Sequence, residues 1–180
     1  MRKSFLVLGA LLASVTAGTA QDATGDWLVK DKIAIIRLDQ CDGLMWGVVV
    51  WEKEAGGLDR NNPDPAKRKR PTLGMPVLLG LKPALKNQWA GEIYNAQDGK
   101  TYTAKITLAN SNLLRVEGWL LGFLCGGEDW TRVPGSARAG DASSAGKRTA
   151  PPGSAGQSRG VEVCSSISGL SGGAHQRRLK

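Results

Sequence analysis

The sequence predicts an all-β domain, an antiparallel up-and-down barrel or a sandwich of about eight short strands. Three observations carry that expectation. In residues 101–108, Thr101, Thr103, Lys105 and Thr107 alternate with Tyr102, Ala104, Ile106 and Leu108, the period of two that a half-buried strand requires. Asp98-Gly99 separates this run from the strand-like 89–94, and Asp-Gly accepts the positive φ angles of a tight hairpin turn. From residue 25 to residue 133 such runs recur between turn signals, with no convincing amphipathic helix, as in a meander of antiparallel strands.

Residues 1–20 precede the domain. Arg2 and Lys3 make a basic start, 5–13 is an apolar run too short to span a bilayer, and Gly18-Thr19-Ala20 places small residues at a cleavage site. The expectation is a secretory signal peptide cut between Ala20 and Gln21, leaving no transmembrane span and a periplasmic or secreted protein. Gly25-Asp26-Trp27 then opens the first strand. The runs 27–30 and 32–39 are rich in strand formers. Residues 40–43 read as a turn, and 44–54 as a Val-rich strand in which Gly47 suggests a bulge.

Residues 55–76 hold Gly-Gly, Asn-Asn-Pro, Asp-Pro and Arg-Pro and read as the longest irregular segment of the domain, a functional loop or a disordered one. The Lys67-Arg68-Lys69-Arg70 run is read first as a solvated face and second as an anion or envelope contact. Asp59, Asn61, Asn62 and Asp64 lack the Gly and distal Glu of a calcium loop, and Asx–Pro turn chemistry explains them. Short strands follow at 77–81, 89–94, 101–108 and 113–121. Residues 122–127 read as a turn, and 129–133 as the last strand. Beyond residue 133, 28 of 47 residues are Pro, Gly, Ser or Ala, so little is available to bury and 134–180 is expected to stay disordered. A linker, a wall-contacting extension and a shifted reading frame past the domain all fit it.

The formal net charge of +8 invites a nucleic-acid reading, but its distribution argues against one. Residues 21–133 hold fifteen basic and fourteen acidic residues, while 134–180 hold seven and two. The expected domain is nearly neutral. Of the three cysteines, Cys41 and Cys125 lie in the ordered-looking region and Cys164 in the tail. In an exported chain the expected disulfide is therefore Cys41–Cys125, with two buried free thiols as the alternative.

Several groups of residues, in this order, resemble a known family. They are Gly25-Asp26-Trp27; Gly47 to Trp51; Asp59, Asn62-Pro63, Arg70-Pro71 and Gly74; 89–94; 98–102; Gly118; and Trp130-Thr131-Arg132. Over residues 25–133 the chain resembles the bacterial family called domain of unknown function 2147, small exported proteins with a lipocalin-like barrel. That family often carries Cys-Gly where this chain has Trp46-Gly47. The resemblance implies a lipocalin-like (calycin) β-barrel able to hold one lipophilic or amphipathic molecule. It also implies that Trp27 on the first strand meets Arg132 on the last and closes the barrel.

The lone histidine, His175, lies in the tail. A Ser-His, Cys-His or Cys/His zinc system inside the domain is therefore not expected. No enzyme activity, cofactor or metal is expected. The favoured reading is a binding module. Its candidate ligand-contacting residues are Trp51, Asp59, Asn62, Arg70, Tyr94 and Tyr102, since large side chains with polar tips line many pockets. The second reading is an envelope interaction protein whose barrel is filled and whose basic loop and tail make the contacts.

Overall fold

The computed structural model describes residues 22–120, 124–134, 162–168 and 170. The expected signal segment with Ala20 and Gln21, His175 and much of the tail lie outside them. Eight strands form one closed antiparallel barrel in sequence order. They are β1 (Gly25–Leu28), β2 (Ala34–Cys41), β3 (Leu44–Glu52), β4 (Pro76–Pro83), β5 (Gln88–Asn95), β6 (Lys100–Asn110), β7 (Leu113–Leu120) and β8 (Leu124–Arg132). The expected strand count and barrel class hold.

The odd-numbered strands start at one end, here called the floor, and run to the other, the mouth; the even-numbered strands return. β6 places Ala104, Ile106 and Leu108 inside, all buried, as the alternation predicts. The expected bulge at Gly47 is present: the β3–β4 register shifts on both sides of it. A Cβ there would lie 3.0 Å from Leu78 and 3.1 Å from Ile36. β8 begins earlier than expected. Gly126-Gly127 is strand rather than turn, with Gly126 paired to Gly118 and Gly127 to Glu117. Glycine punctuates loops more often than strands, and here it serves the barrel interior instead.

The floor is closed by an arginine. β1 and β8 pair over two residues each, Trp27 with Arg132 and Leu28 with Thr131. The Arg132 guanidinium stacks 4.2 Å from the centroid of the Trp27 ring. Its nitrogens donate to the carbonyls of Ser111, Thr24 and Asp22 at 2.5–2.7 Å. Trp27 Nε1 donates to Ala23 O at 2.9 Å. The segment 22–24 is thereby drawn across the floor, and Ala23 is fully buried in the interior cluster. Outside, Arg37 clamps β2 to β1 through both carboxylate oxygens of Asp26, at 2.6 and 2.9 Å, and this hydrogen-bonded carboxylate raises its pKa further.

The disulfide differs from expectation. Cys41 bonds to Cys164, with Cα atoms 5.6 Å apart, and not to Cys125. The register gives the reason. Cys41 ends β2 at the floor, whereas Cys125 lies at the mouth end of β8, seven residues before Arg132. At about 3.3 Å per residue they are roughly 20 Å apart along the barrel axis, far beyond the ~7 Å that a disulfide spans. The tail is also not wholly without structure. Val163–Ser166 form a one-turn helix, α1. Val163 and Ile167 bury against Cys41, Trp46 and Val48 in a cluster separate from the barrel interior. Two apolar residues four apart make one apolar stripe on a turn, and the covalent link holds it in place.

Two measurements check this architecture. Arg132→Ala is expected to destabilise the domain by about 2–4 kcal/mol, combining a lost cation–π contact with several charge-assisted hydrogen bonds. Arg132→Lys should rescue little of this in urea unfolding, because an ammonium lacks the planar fork. Peptide mapping of unreduced protein should recover a Cys41–Cys164 linked pair and alkylated Cys125. Reducing that bond should lower stability by at most about 4–5 kcal/mol on the chain-entropy account of a long closed loop.

Candidate functional site

The barrel narrows in side-chain size from floor to mouth. On β7 the inward residues run Leu114, Val116, Gly118, and on β8 they run Trp130, Glu128, Gly126. On β6 they run Leu108, Ile106, Ala104. Near the floor Trp27, Trp89, Leu81, Leu108, Leu114 and Trp130 pack into one cluster. Toward the mouth the interior is left open as a cavity of about 960 Å³. Its wall is mostly aliphatic, from Ile36, Val49, Met75, Val77, Ile93 and Val116, with Trp130 at its base. Most polar groups collect at the rim, where Asp31, Glu52, Glu54, Asn95 and Gln97 contribute, while Glu128 stands deeper on β8, between Trp130 and Gly126. Glu128 also accepts a hydrogen bond from Trp130 Nε1. The Thr72 hydroxyl, in another lining residue, is buried without a hydrogen-bond partner among the described residues.

Two of the six expected ligand-contacting residues, Tyr94 and Tyr102, line this cavity. Trp51, partly exposed on β3, does not. Asp59, Asn62 and Arg70 do not either; with Tyr94 they build a lock beneath the long loop. Asp59 is wholly buried. Its Oδ1 accepts from the Tyr94 hydroxyl at 2.6 Å, and its Oδ2 accepts from Asn62 Nδ2 at 2.7 Å and Arg70 Nε at 2.8 Å. Asn62 Nδ2 also donates to the Tyr94 oxygen at 3.0 Å, and the Arg70 guanidinium lies 5.7 Å from the Tyr94 ring centroid. The carboxylate has charge-assisted partners on both oxygens, the condition under which a buried charge is tolerated. The expected polar contacts are thus consumed within the protein.

The rest of the loop follows from that lock. Asp64 caps a single 3-10 turn, Pro65–Lys67, by accepting from Ala66 N at 3.0 Å, and it pairs with Lys67 at 3.5 Å. Arg68 Nε donates to Asn62 O at 2.8 Å. Three of the four residues in the basic run are therefore engaged inside the loop. At its far side Asn61 Nδ2 donates to Gln97 O at 2.7 Å, joining the loop to the β5–β6 turn. Gly99 (φ +71°) is required there: a Cβ would fall 1.8 Å from Asn61 O. The segment expected to be either functional or disordered is an ordered flank of the mouth, and Thr72 and Met75 from it reach the cavity wall.

Both tyrosines titrate high. Burial, then the hydrogen bond to the Asp59 carboxylate, raises the Tyr94 phenol above its ordinary value. The hydrogen bond to Asp98 does the same for Tyr102 at the rim. Among the described residues no group of three His, Cys, Asp or Glu side chains could hold a metal ion, and no helix is long and apolar enough to cross a membrane.

Against known proteins, the profile of the family described as "Uncharacterized protein conserved in bacteria (DUF2147)" matches residues 25–132, the whole barrel. None of the curated proteins matches the chain. A solved structure that does, titled "Protein HP1028 from the human pathogen Helicobacter pylori belongs to the lipocalin family", superposes with a TM-score of 0.56 at 22% identity. The match covers 62% of this chain and 82% of that one, a likeness in fold.

The tyrosine environment sets a pH test. A phenol whose pKa is raised on folding contributes stability that is complete below about pH 10 and is lost as pH rises through its folded value. The chain has two tyrosines and both are raised. Tyrosinate absorbance of the folded protein should therefore rise at higher pH than that of the urea-unfolded protein, and Tyr94→Phe should halve the folded amplitude and leave the transition of Tyr102. Coincident folded and unfolded titrations would show that the Asp59 lock is absent.

Proposed function

The chain belongs to this bacterial DUF2147 family, and on that premise we propose that it is an exported, non-enzymatic carrier of one small lipophilic or amphipathic molecule. The observation that carries the reading is the mostly aliphatic cavity of about 960 Å³, open at one end of a closed barrel. That volume is in the range of ligand sites, which combine apolar walls with a few placed polar groups. An apolar ligand entering it would gain roughly 25 cal/mol for each Å² removed from water. The tail of such a ligand belongs against Ile36, Val49, Val77 and Val116. Its polar end belongs at the rim, beside Asn95, Gln97, Tyr102 and the rim carboxylates. Tyr94 contributes its ring edge rather than its hydroxyl, which is already committed to Asp59.

Non-enzymatic action fits the chemistry of the wall, whose titratable groups are carboxylates, a lysine and two tyrosines, with no Ser-His or Cys-His pair among the described lining residues. Export fits the Cys41–Cys164 disulfide, a bond that persists in oxidising compartments. It also fits the signal-like residues 1–20.

The glycines in the cavity wall supply a test with a built-in folding control. A Cβ on Gly126 meets nothing within 4 Å, and one on Gly118 meets only ordinary contacts at 3.6–3.9 Å. Gly118→Leu and Gly126→Leu should therefore fold and fill the cavity. The unsubstituted protein is expected to take up one equivalent of a neutral apolar dye such as N-phenyl-1-naphthylamine, with quenching of Trp130 and its neighbours. The leucine variants should bind at least tenfold more weakly at unchanged thermal stability. Dye uptake that is absent, or indifferent to both substitutions, would remove the carrier reading.

A further inference from the structure

The mouth differs from the rest of the barrel in two properties at once. The first is exposed aliphatic surface. Among the described residues five large hydrophobic side chains are exposed, and three of them, Ile33, Leu58 and Leu73, flank the mouth. They stand on one side of it. Ile33 lines the rim and its carbonyl accepts from Lys53 N. Leu58 bridges to Pro71, Thr72 N donates to Gly57 O, and Leu73 follows Thr72 on the cavity wall. Isolated exposed leucines need no explanation, but several beside a cavity opening mark an interaction surface.

The second property is charge. The two segments that form this side of the mouth, 29–33 and 53–75, hold eight basic and four acidic residues, a net +4. The remainder of 22–133 holds seven basic and ten acidic residues, a net −3. The nearly neutral domain is therefore strongly polarised. Two of the four acids are neutralised within the loop, Asp59 by Arg70 and Asp64 by Lys67. Lys30, Lys32, Lys53, Arg60 and Lys69 are all exposed around Ile33, Leu58 and Leu73. The remaining acids of these segments, Asp31 and Glu54, are at the rim of the cavity itself, as is Glu52, which directly precedes the second segment.

We propose that the positively charged, aliphatic-tipped side of the mouth docks onto the surface of a bilayer containing anionic phospholipid, so that the apolar ligand passes between membrane and cavity without crossing water. The inference rests on the carrier reading for its purpose but not for its physics. Exposed aliphatics reach the acyl boundary and basic side chains hold the anionic headgroups, a two-part attachment that is weak in either part alone. The loop is suited to this because its own lock makes it rigid, so binding would order little further. Among the described residues, the N-terminal strap and the tethered α1 both lie at the opposite, floor end.

Flotation of the full chain with vesicles tests the proposal. Vesicles of phosphatidylcholine alone are compared with vesicles containing about one-third phosphatidylglycerol, and dye uptake in solution is measured in parallel. The full chain is expected to float with the anionic vesicles and not with the neutral ones. Combined Lys30→Gln, Lys32→Gln and Lys69→Gln should weaken this about a hundredfold, near fivefold for each charge removed. Leu58→Ser with Leu73→Ser should weaken it about tenfold. All five positions are exposed, so near-ultraviolet circular dichroism and solution dye uptake should be unchanged. Neutralising Arg177, Arg178 and Lys180 in the tail should leave flotation intact. Equal flotation with neutral vesicles, dependence on the tail rather than the mouth, or self-association that the mouth substitutions abolish would each overturn the proposal. Dye uptake without flotation would overturn docking and leave the carrier reading standing; flotation without dye uptake would do the reverse.

Discussion

The structure depends on the closure of β8 against β1. Those two strands share a short pairing, far less backbone hydrogen bonding than their neighbours make, so side chains must supply the rest. Arg132 does this by occupying both faces of the problem: it stacks on Trp27 and holds three carbonyls from two separate parts of the chain. Closure removes the open edges that would otherwise template pairing between molecules. It also sets which end of the barrel is sealed. The strap over residues 22–24 exists because Arg132 collects its carbonyls, and the floor cluster around Trp27 and Trp130 is tight because that strap covers it.

Once one end is sealed, the side-chain sizes along each strand decide whether the barrel is filled. An eight-stranded barrel is near the limit at which side chains alone fill the interior. Tryptophans and leucines near the floor reach that limit. Alanine and glycine near the mouth do not, and the shortfall is the cavity. Its position is thus a consequence of where the small residues fall on β6, β7 and β8, and its orientation is a consequence of Arg132.

Much of this was legible in residues taken singly or by alternation. The inward set of β6 is read directly from period two, and the Trp27–Arg132 pair from its likeness to lipocalin-like barrels. What failed to read were features that depend on register between distant strands. Gly126-Gly127 looks like a turn until Gly118 is placed opposite. Cys41 and Cys125 look like partners until the strand directions put them at opposite ends. Cys164 looked unpaired because the segment that carries it buries just two apolar side chains, too few to register against a tail of Gly, Ser, Ala and Pro. The taper of inward residues was present in the sequence all along. Comparing three strands position by position, rather than one strand at a time, would have located the cavity.

The long loop shows why polar residues in a recurring motif need not be a binding site. Asp59, Asn62, Arg70 and Tyr94 were natural ligand candidates because they are polar, clustered and near the mouth. Their geometry assigns them elsewhere: a buried carboxylate with three donors has little capacity left for a ligand, and removing any one donor leaves the charge underpaired in a dry site. Such a network specifies one loop conformation strongly, since partial rearrangement is costlier than either the intact lock or full exposure. The loop's exposed outer side then carries Arg60, Lys69, Leu58 and Leu73 outside that network. A rigid flank with a separately composed outer surface is what a preformed cavity needs if its opening is to meet something other than bulk water.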